Sequence, residues 1–291
     1  MTLHFKVADA HYKVVFKDED YDSRQLLSSS RPFYVKNYEG PVMFALTVQH
    51  NLVSATPCGE EIGQFNCGGA VHGVYRTEAG YKFLIRDFNG DIACAFTATN
   101  DFTHCEASLF GDEAKKRYGI NNALMITFAF AGAYHNILLI HSSVTMLEGK
   151  GYLFLGVSGT GKSTHSQLWL KHFPGAELLN DDNPAIRIMN GEARVYGSPW
   201  SGKTPCYRNL EVPIGAFVQL RQAPENVIRR ERPLLAFGHI FSSCSTMIWD
   251  KASYKAICDT VTSIVSSIPI YFLDCRADEE AAQLSHSTIT Q

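Results

Sequence analysis

Near the middle of the chain, Gly156-Val157-Ser158-Gly159-Thr160-Gly161-Lys162-Ser163 fits the phosphate-binding pattern G-x-x-x-x-G-K-[ST] at every fixed position. The chemistry follows from the residue types. Glycines at 156, 159 and 161 let the backbone turn its N–H groups inward around an oxyanion. Lys162 would reach the β- and γ-phosphates of ATP, and the Ser163 hydroxyl would sit on Mg²⁺. Ser158, Thr160 and Thr164 complete the residues placed around the phosphates. The competing reading is a glycine-rich turn that only caps a helix.

Asp181 and Asp182 follow the loop lysine by 19 and 20 residues, at the end of the next apolar run. Carboxylates at a strand's carboxyl end face a nucleotide's phosphates, where one can hold Mg²⁺ through water. A second can take the proton of an attacking hydroxyl, and mutual repulsion of adjacent carboxylates raises one pKa toward that task. Without the loop, an Asp-Asp pair simply ends a strand. A third candidate is Ser198-Pro199-Trp200-Ser201-Gly202-Lys203-Thr204, whose Lys203 would close over the γ-phosphate or an acceptor. Arg208 has the same standing, and a solvated surface loop explains both equally well. His141 lies fifteen residues before Gly156 and would point at the phosphates, although a lone histidine in an apolar strand is usually a core residue.

Positioning these groups requires a strand, a loop and a helix in that order. Residues 152–155 are short and apolar like a buried strand, and 163–173 carry Leu168, Trp169 and Phe173 at near-helical spacing. The helix would add its positive end to the phosphate site. Beyond it the pattern predicts a strand over 177–180 and a hairpin of 185–188 with 193–196 through Asn190-Gly191. A strand over 215–221, helices across 233–267, a strand over 271–275 and a helix over 278–286 complete the chain.

Upstream of residue 111 the sequence is β-rich, with runs at 12–16, 33–36 and 42–48 and a meander of 71–76, 81–87 and 91–99 turning at Asn89-Gly90. Gly68-Gly69 with His72 reads as a turn beside a surface histidine. The charged stretch 112–118 reads as linker or a short helix, and Asn121 or Asn122 as the cap of a buried helix reaching Tyr134. Residues 137–147 read as one strand. The expected division is a β-rich N-terminal subdomain, 1–119, and a phosphate-loop domain, 120–291.

Composition narrows the function classes. The 291 residues are 45% hydrophobic and 19% charged with formal net charge -3, and the basic residues are scattered, so nucleic acid is not an expected partner. His135, Asn136 and His141 interrupt the apolar stretch 123–147, which argues against a bilayer span. The eight cysteines include no C-x-x-C pair, which gives no zinc spacing and suggests a reducing, cytoplasmic setting.

His141-Ser142-Ser143, the loop 156–163 and Asp181-Asp182 together resemble the catalytic domain of bacterial HPr kinase/phosphorylase. The loop with Thr164-His165-Ser166 is also similar to the nucleotide motif of ATP-dependent phosphoenolpyruvate carboxykinase. The resemblance covers roughly residues 125–275, and the β-rich first half with its Pro-Trp-x-Gly-Lys loop resembles HPr-kinase-like proteins encoded in bacteria. It implies an α/β fold with an HPr kinase/phosphoenolpyruvate carboxykinase-like P-loop core, and ATP and Mg²⁺ as cofactors. Lys162 would then bind phosphate, Ser163 and Asp182 would serve the metal, Asp181 would be the base on the acceptor hydroxyl, and His141 would assist at the γ-phosphate. The two aspartate roles are interchangeable at this level.

The Glu-Ile-Arg-Gly-Leu-Gly signature of HPr kinases does not follow the acidic pair; residues 198–204 and 207–213 occupy that stretch. The arginine segments that bind oxaloacetate in the carboxykinases are also lacking. The leading expectation is therefore a kinase acting on a hydroxyl of an unknown protein, peptide or small-molecule acceptor. A nucleotide-binding regulator without transfer and a carboxykinase-like enzyme are the alternatives. Self-association into a homo-oligomer is compatible with the sequence.

Overall fold

Ala10-His11-Tyr12-Lys13-Val14-Val15-Phe16 buries every second residue and forms a strand, as period-two patterning requires. The computed structural model, which describes residues 1–67, 69–202 and 204–291, builds a mixed α/β protein with two large sheets. The chain divides into two units, Met1–Gly132 and Ala133–Gln291.

The first unit contains β1 (Thr2–Val7), β2 (Ala10–Phe16), a one-turn α1 (Ser23–Leu26), β3 (Tyr34–Val35), β4 (Phe44–Val48), β5 (Glu60–Cys67), β6 (Ala70–Thr77), β7 (Gly80–Arg86), β8 (Ile92–Thr99), β9 (His104–Leu109) and α2 (Glu113–Ala133). The sheet order is β3-β1-β2-β4-β9-β8-β7-β6-β5. All pairs are antiparallel except β2 with β4 and β4 with β9. Asn89-Gly90 turns the β7–β8 hairpin as its sequence predicts. Helix α2 lays Phe128 and Phe130 on the ring layer of Tyr12, Phe83 and Phe102, with Phe102 and Phe130 centroids 5.3 Å apart.

Three expectations change here. Helix α2 begins at Glu113, where Asp112 Oδ1 accepts the Lys115 N–H at 2.9 Å, so the charged run is its solvent-facing first part. Asn121 and Asn122 are therefore mid-helix and donate to Arg117 O and Tyr118 O rather than capping. Helix α2 packs its phenylalanines on the first sheet, and the chain divides after Gly132. His72 is fully buried, not on the surface; burial holds its pKa at about 4, and Nδ1 accepts the Arg86 N–H. Gly68 lies outside the described residues.

The second unit holds β10 (Ile137–Leu139), β11 (Ser142–Leu147), β12 (Lys150–Leu155), α3 (Lys162–His172), β13 (Glu177–Asp182), β14 (Ala185–Met189), β15 (Glu192–Tyr196), β16 (Glu211–Gln222), β17 (Val227–Arg230), α4 (Pro233–Ser243), α5 (Lys251–Ser267), β18 (Ile270–Cys275) and α6 (Glu279–Ile289). Its order is β10-β14-β15-β16-β12-β11-β13, with β18 also pairing β16 and β17 pairing β18. The long β16 does two jobs. Its first residues pair antiparallel with β15, and its later residues run parallel between β12 and β18.

Strand β12 is apolar at successive positions because both of its faces are covered. Leu153 and Leu155 pack with Phe217 and with Ile240, Ile257 and Val261 of α4 and α5. Tyr152 and Phe154 pack on the other face with Trp169 of α3 and Ala281 and Ala282 of α6. A strand buried on both faces reads as a continuous apolar run, which is how 152–155 reads. Truncating one such ring, as in Phe154→Ala, costs about 3–5 kcal/mol. The predicted single strand 137–147 is instead broken at Ile140 and His141, where Ile140 bridges Cys244 and the His141 N–H donates to Ser243 O at 2.7 Å. No described helix is long and apolar enough to cross a membrane.

Candidate active site

Strand β12 ends at Leu155, the chain turns through residues 156–161, and α3 begins at Lys162, so the motif has the strand–loop–helix setting its chemistry needs. Gly159 and Gly161 sit at φ 84° and 105°, conformations that L side chains rarely adopt. Gly161 is also the residue that caps α3, and it does so without a side-chain bond. Thr160 closes a small turn by donating both its N–H and its hydroxyl to Val157 O, and Gln222 Nε2 of β16 donates to Gly159 O at 3.2 Å. Ser158, Ser163 and Thr164 are exposed around this turn.

Lys162 points back into its own loop. Its ammonium donates to Gly156 O at 2.9 Å and Val157 O at 3.3 Å. Only 8% of the residue is exposed, and burial lowers its pKa while Asp182 and Asp181 pull the other way. The third ammonium bond goes to His141 Nε2 at 2.9 Å. An ammonium has no lone pair, so Nε2 accepts, and the imidazole proton resides on Nδ1. That Nδ1 lies 3.0 Å from Asp182 Oδ1 and donates to it. Lys162, His141 and Asp182 therefore form one directed chain from the loop to the acidic pair.

Strand β11 lies between β12 and β13 and sets the spacing of this chain. Ser142 pairs across to Leu155 on one side and to Asp182 on the other, which brings the ends of β12 and β13 level. Ser143 Oγ meets Ser166 Oγ at 2.6 Å and ties β11 to α3. Asp182 accepts from Asn183 Nδ2 at 2.9 Å, and its own N–H donates to Asn180 Oδ1. Asp181 is 6% exposed, and its Oδ1 has no hydrogen-bond partner among the described residues. A buried carboxylate oxygen left in that state is costly unless a cation or a donor joins it.

The loop after β15 is packed on the acidic pair. The Gly202 N–H donates to Asp181 O at 3.1 Å, and Ser201 bridges Asp182. A Cβ on Gly202 would come within 2.8 Å of Asp181 O, so only glycine allows this approach. Ser198 Oγ accepts from Asn180 Nδ2 and the Trp200 N–H and donates to Asn183 O. Lys203, predicted within this loop, lies outside the described residues.

Arg208 is not brought to the site. Its guanidinium donates to Glu177 Oε2 at 2.6 Å and Leu178 O at 2.8 Å, at the opposite end of β13 from the acidic pair. At roughly 3.3 Å per strand residue, Leu178 and Asp182 are about 13 Å apart. The Glu177 carboxylate and the Leu178 carbonyl hold the side chain there.

Two hollows flank the loop on the β16–β18 side. One, of ≈ 500 Å³, is bounded by Val157, Ser158, Arg221, Gln222 and Phe272. The other, of ≈ 330 Å³, is bounded by Gly161, Thr164, Leu168, Ala223, Arg276 and Ala277. Gln222, Arg221 and Arg276 were not foreseen from sequence. Their signal is positional: they stand at or just beyond the carboxyl ends of β16 and β18, both parallel partners within the sheet of β12, where ligands of open α/β sheets bind.

Two features would suit a Mg²⁺-nucleotide: the Lys162 ammonium is bonded within its own loop at Gly156 O, and Asp181 Oδ1 has no hydrogen-bond partner among the described residues. No group of three or more His, Cys, Asp or Glu side chains among the described residues is placed to hold a metal alone.

No family model matches the chain, and no curated protein matches it. Solved structures that match include an HPr(Ser) kinase/phosphatase from Coxiella burnetii, 12% identical, with 51% of this chain and 86% of that chain covered at a TM-score of 0.31. A likeness of that size carries no argument about this protein.

Proposed function

We propose that the second unit is an HPr-kinase-like phosphate-loop core and that the protein is an ATP- and Mg²⁺-dependent phosphotransferase acting on a hydroxyl group. The observation that carries this reading is the chain Lys162–His141–Asp182 beside a buried Asp181 whose Oδ1 has no partner among the described residues. A loop that only capped a helix would have no use for an ammonium tied through an imidazole to a carboxylate.

The bound nucleotide with Mg²⁺ supplies the transferable phosphoryl group and neutralises its charge. The chain's own groups do the rest. Lys162 places positive charge at the phosphates, the exposed Ser163 hydroxyl and Asp182 offer oxygens to the metal, and His141 keeps Lys162 and Asp182 in register. Asp181, buried and with Oδ1 unpartnered among the described residues, accepts the acceptor's proton. Positioning and charge stabilisation supply most of the rate in phosphoryl transfer, so a small set of fixed groups suffices.

The test is ADP formation and transfer of labelled γ-phosphate by the purified protein, with Lys162→Ala as control. Mg²⁺-dependent turnover that vanishes in the variant supports the reading. Tight Mg-ATP binding with no turnover, alone or with added hydroxyl acceptors, makes the protein a nucleotide-binding regulator instead.

A further inference from the structure

A surface arginine usually gains little from its ion pairs, because solvent screens them and ordering the side chain costs entropy. Arg276 is an exception in how completely it is fixed. Its Nε donates to Asp278 Oδ2 at 2.7 Å, one terminal nitrogen donates to Glu280 Oε2, and the other donates to Pro224 O at 3.4 Å. The backbone is held as well, since the Arg276 N–H donates to Asn226 Oδ1 at 2.8 Å and Asn226 Nδ2 binds both Asp278 and Glu280. All these partners lie at the N–H edges of the guanidinium. Its plane is set, and the residue is exposed and lines the adjoining hollow.

That hollow measures ≈ 330 Å³, and Thr164 and Leu168 from the first two turns of α3 line it together with Arg276. The size is within the ~300–1,000 Å³ range of small-molecule sites. Leu168, Leu220, Ala223 and Ala277 give it apolar surface and polar atoms supply about as much again, with Thr164 among the lining residues. Gly159, Thr160 and Gly161 form one rim, so the hollow opens directly off the phosphate loop. The larger hollow offers a poorer platform. Its Arg221 already has one guanidinium face on the Phe272 ring, 5.1 Å from the centroid.

Resting on the nucleotide reading above, we infer that this hollow is the base-recognition subsite, and that a purine stacks on the Arg276 guanidinium with its sugar toward Thr164. The phosphates would then run along the loop from Thr164 toward Lys162, leaving the terminal group beside the acidic pair. Guanidinium planes stack well on π-systems, and a fixed plane loses little freedom on doing so. Asp278 and Glu280 act here as positioning residues for Arg276.

The experiment compares calorimetric affinity for Mg-ATP with that for Mg-bound inorganic triphosphate, in the parent protein and in Arg276→Lys, Arg276→Ala and Ala277→Trp. Lysine keeps the charge but removes the plane, and the exposed Ala277 position gives a way to fill the hollow without disturbing the core. The expected result is ATP binding at least tenfold tighter than triphosphate in the parent. All three variants should lose about tenfold or more in ATP affinity, as expected for one stacked base, with triphosphate affinity unchanged. Rescue by Arg276→Lys would mean that charge on the phosphates is what matters, and would overturn the stacking subsite. Equal affinity for ATP and triphosphate in the parent would overturn it too, while leaving the phosphate loop intact. Binding of neither ligand would remove the nucleotide reading, and the subsite with it.

Discussion

Lys162 Nζ donates to His141 Nε2 at 2.9 Å, linking a residue at the start of α3 to one in the break before β11. Through the other ring nitrogen the link continues to Asp182. The pair is what turns three separate sequence features into one site, and the first predictions act on it.

Removing the ammonium should remove nucleotide binding. Mg-ATP at a hundredfold excess over its Kd stabilises a folded protein by about 2.7 kcal/mol, seen as a rise of several degrees in Tm. Lys162→Ala should show almost none of that rise in a thermal-shift measurement. An undiminished rise would take the lysine out of the site.

His141 should affect rate more than folding, because its ring is partly exposed and its partners are polar. His141→Ala frees Lys162 and Asp182 from one another, and a loss of roughly tenfold or more in turnover is expected. His141→Gln, which can still accept and donate, should recover part of it. Steady-state phosphate release on both variants decides the matter; equal losses would mean that the link does not depend on hydrogen bonding.

The two aspartates should separate. Asp181→Asn keeps shape but cannot take a proton near neutral pH, so Mg-ATP affinity should stay within about tenfold while turnover falls roughly 10²-fold or more. Asp182→Asn should instead weaken the Mg²⁺ dependence of binding. Calorimetry beside phosphate release measures both. The opposite pattern exchanges the roles, and no effect from either variant reduces the pair to a strand end.

Arg208 serves as the negative control. Its ion pair with Glu177 is partly exposed and remote from the loop, so Arg208→Gln should change stability by at most about 1 kcal/mol and leave Mg-ATP affinity as it was. A tenfold loss of affinity measured by calorimetry would contradict this placement.

Mild acid should destabilise the protein through its buried histidines. His165 is buried, with Nε2 on Ser285 Oγ at 2.9 Å, and burial lowers its pKa from 6.5 to about 4. The unfolded chain therefore takes up the proton first as pH falls. The stability this histidine supports is complete above pH 6.5 and is lost between there and about pH 4. At about 1.4 kcal/mol per tenfold change in proton affinity, the loss is roughly 3 kcal/mol, and buried His72 adds a similar amount. Urea unfolding at pH 7 and pH 5 should show the fall, and His165→Gln should show a smaller one even if it is less stable overall.

Much of the local structure is legible in the sequence because it is decided locally. Gly156-Val157-Ser158-Gly159-Thr160-Gly161-Lys162-Ser163 determines a strand–loop–helix turn, since the glycines supply backbone angles other residues avoid and the flanking runs have strand and helix periods. Asn190-Gly191 and Asn89-Gly90 determine their hairpins for the same reason. Strands whose apolar period is weak, such as the glutamate-bearing β5 and the short β17, leave no such mark.

Distance along the chain hides the rest. His141 looks like a core residue in an apolar run, and only the break between β10 and β11 and the pairing of β11 with both β12 and β13 deliver it to Lys162 and Asp182. Arg208 reads as equal to Lys203 in sequence, yet the Glu177 carboxylate and the Leu178 carbonyl draw it to the far end of β13. Arg276 sits in no motif, and its fixed plane exists only because β17, β18 and α6 bring Pro224, Asn226, Asp278 and Glu280 around it. Sequence spacing fixes which backbone angles and periods are available. Which side chains meet is settled by strand order, because pairing partners are chosen by burial across the whole sheet rather than by neighbours in the chain.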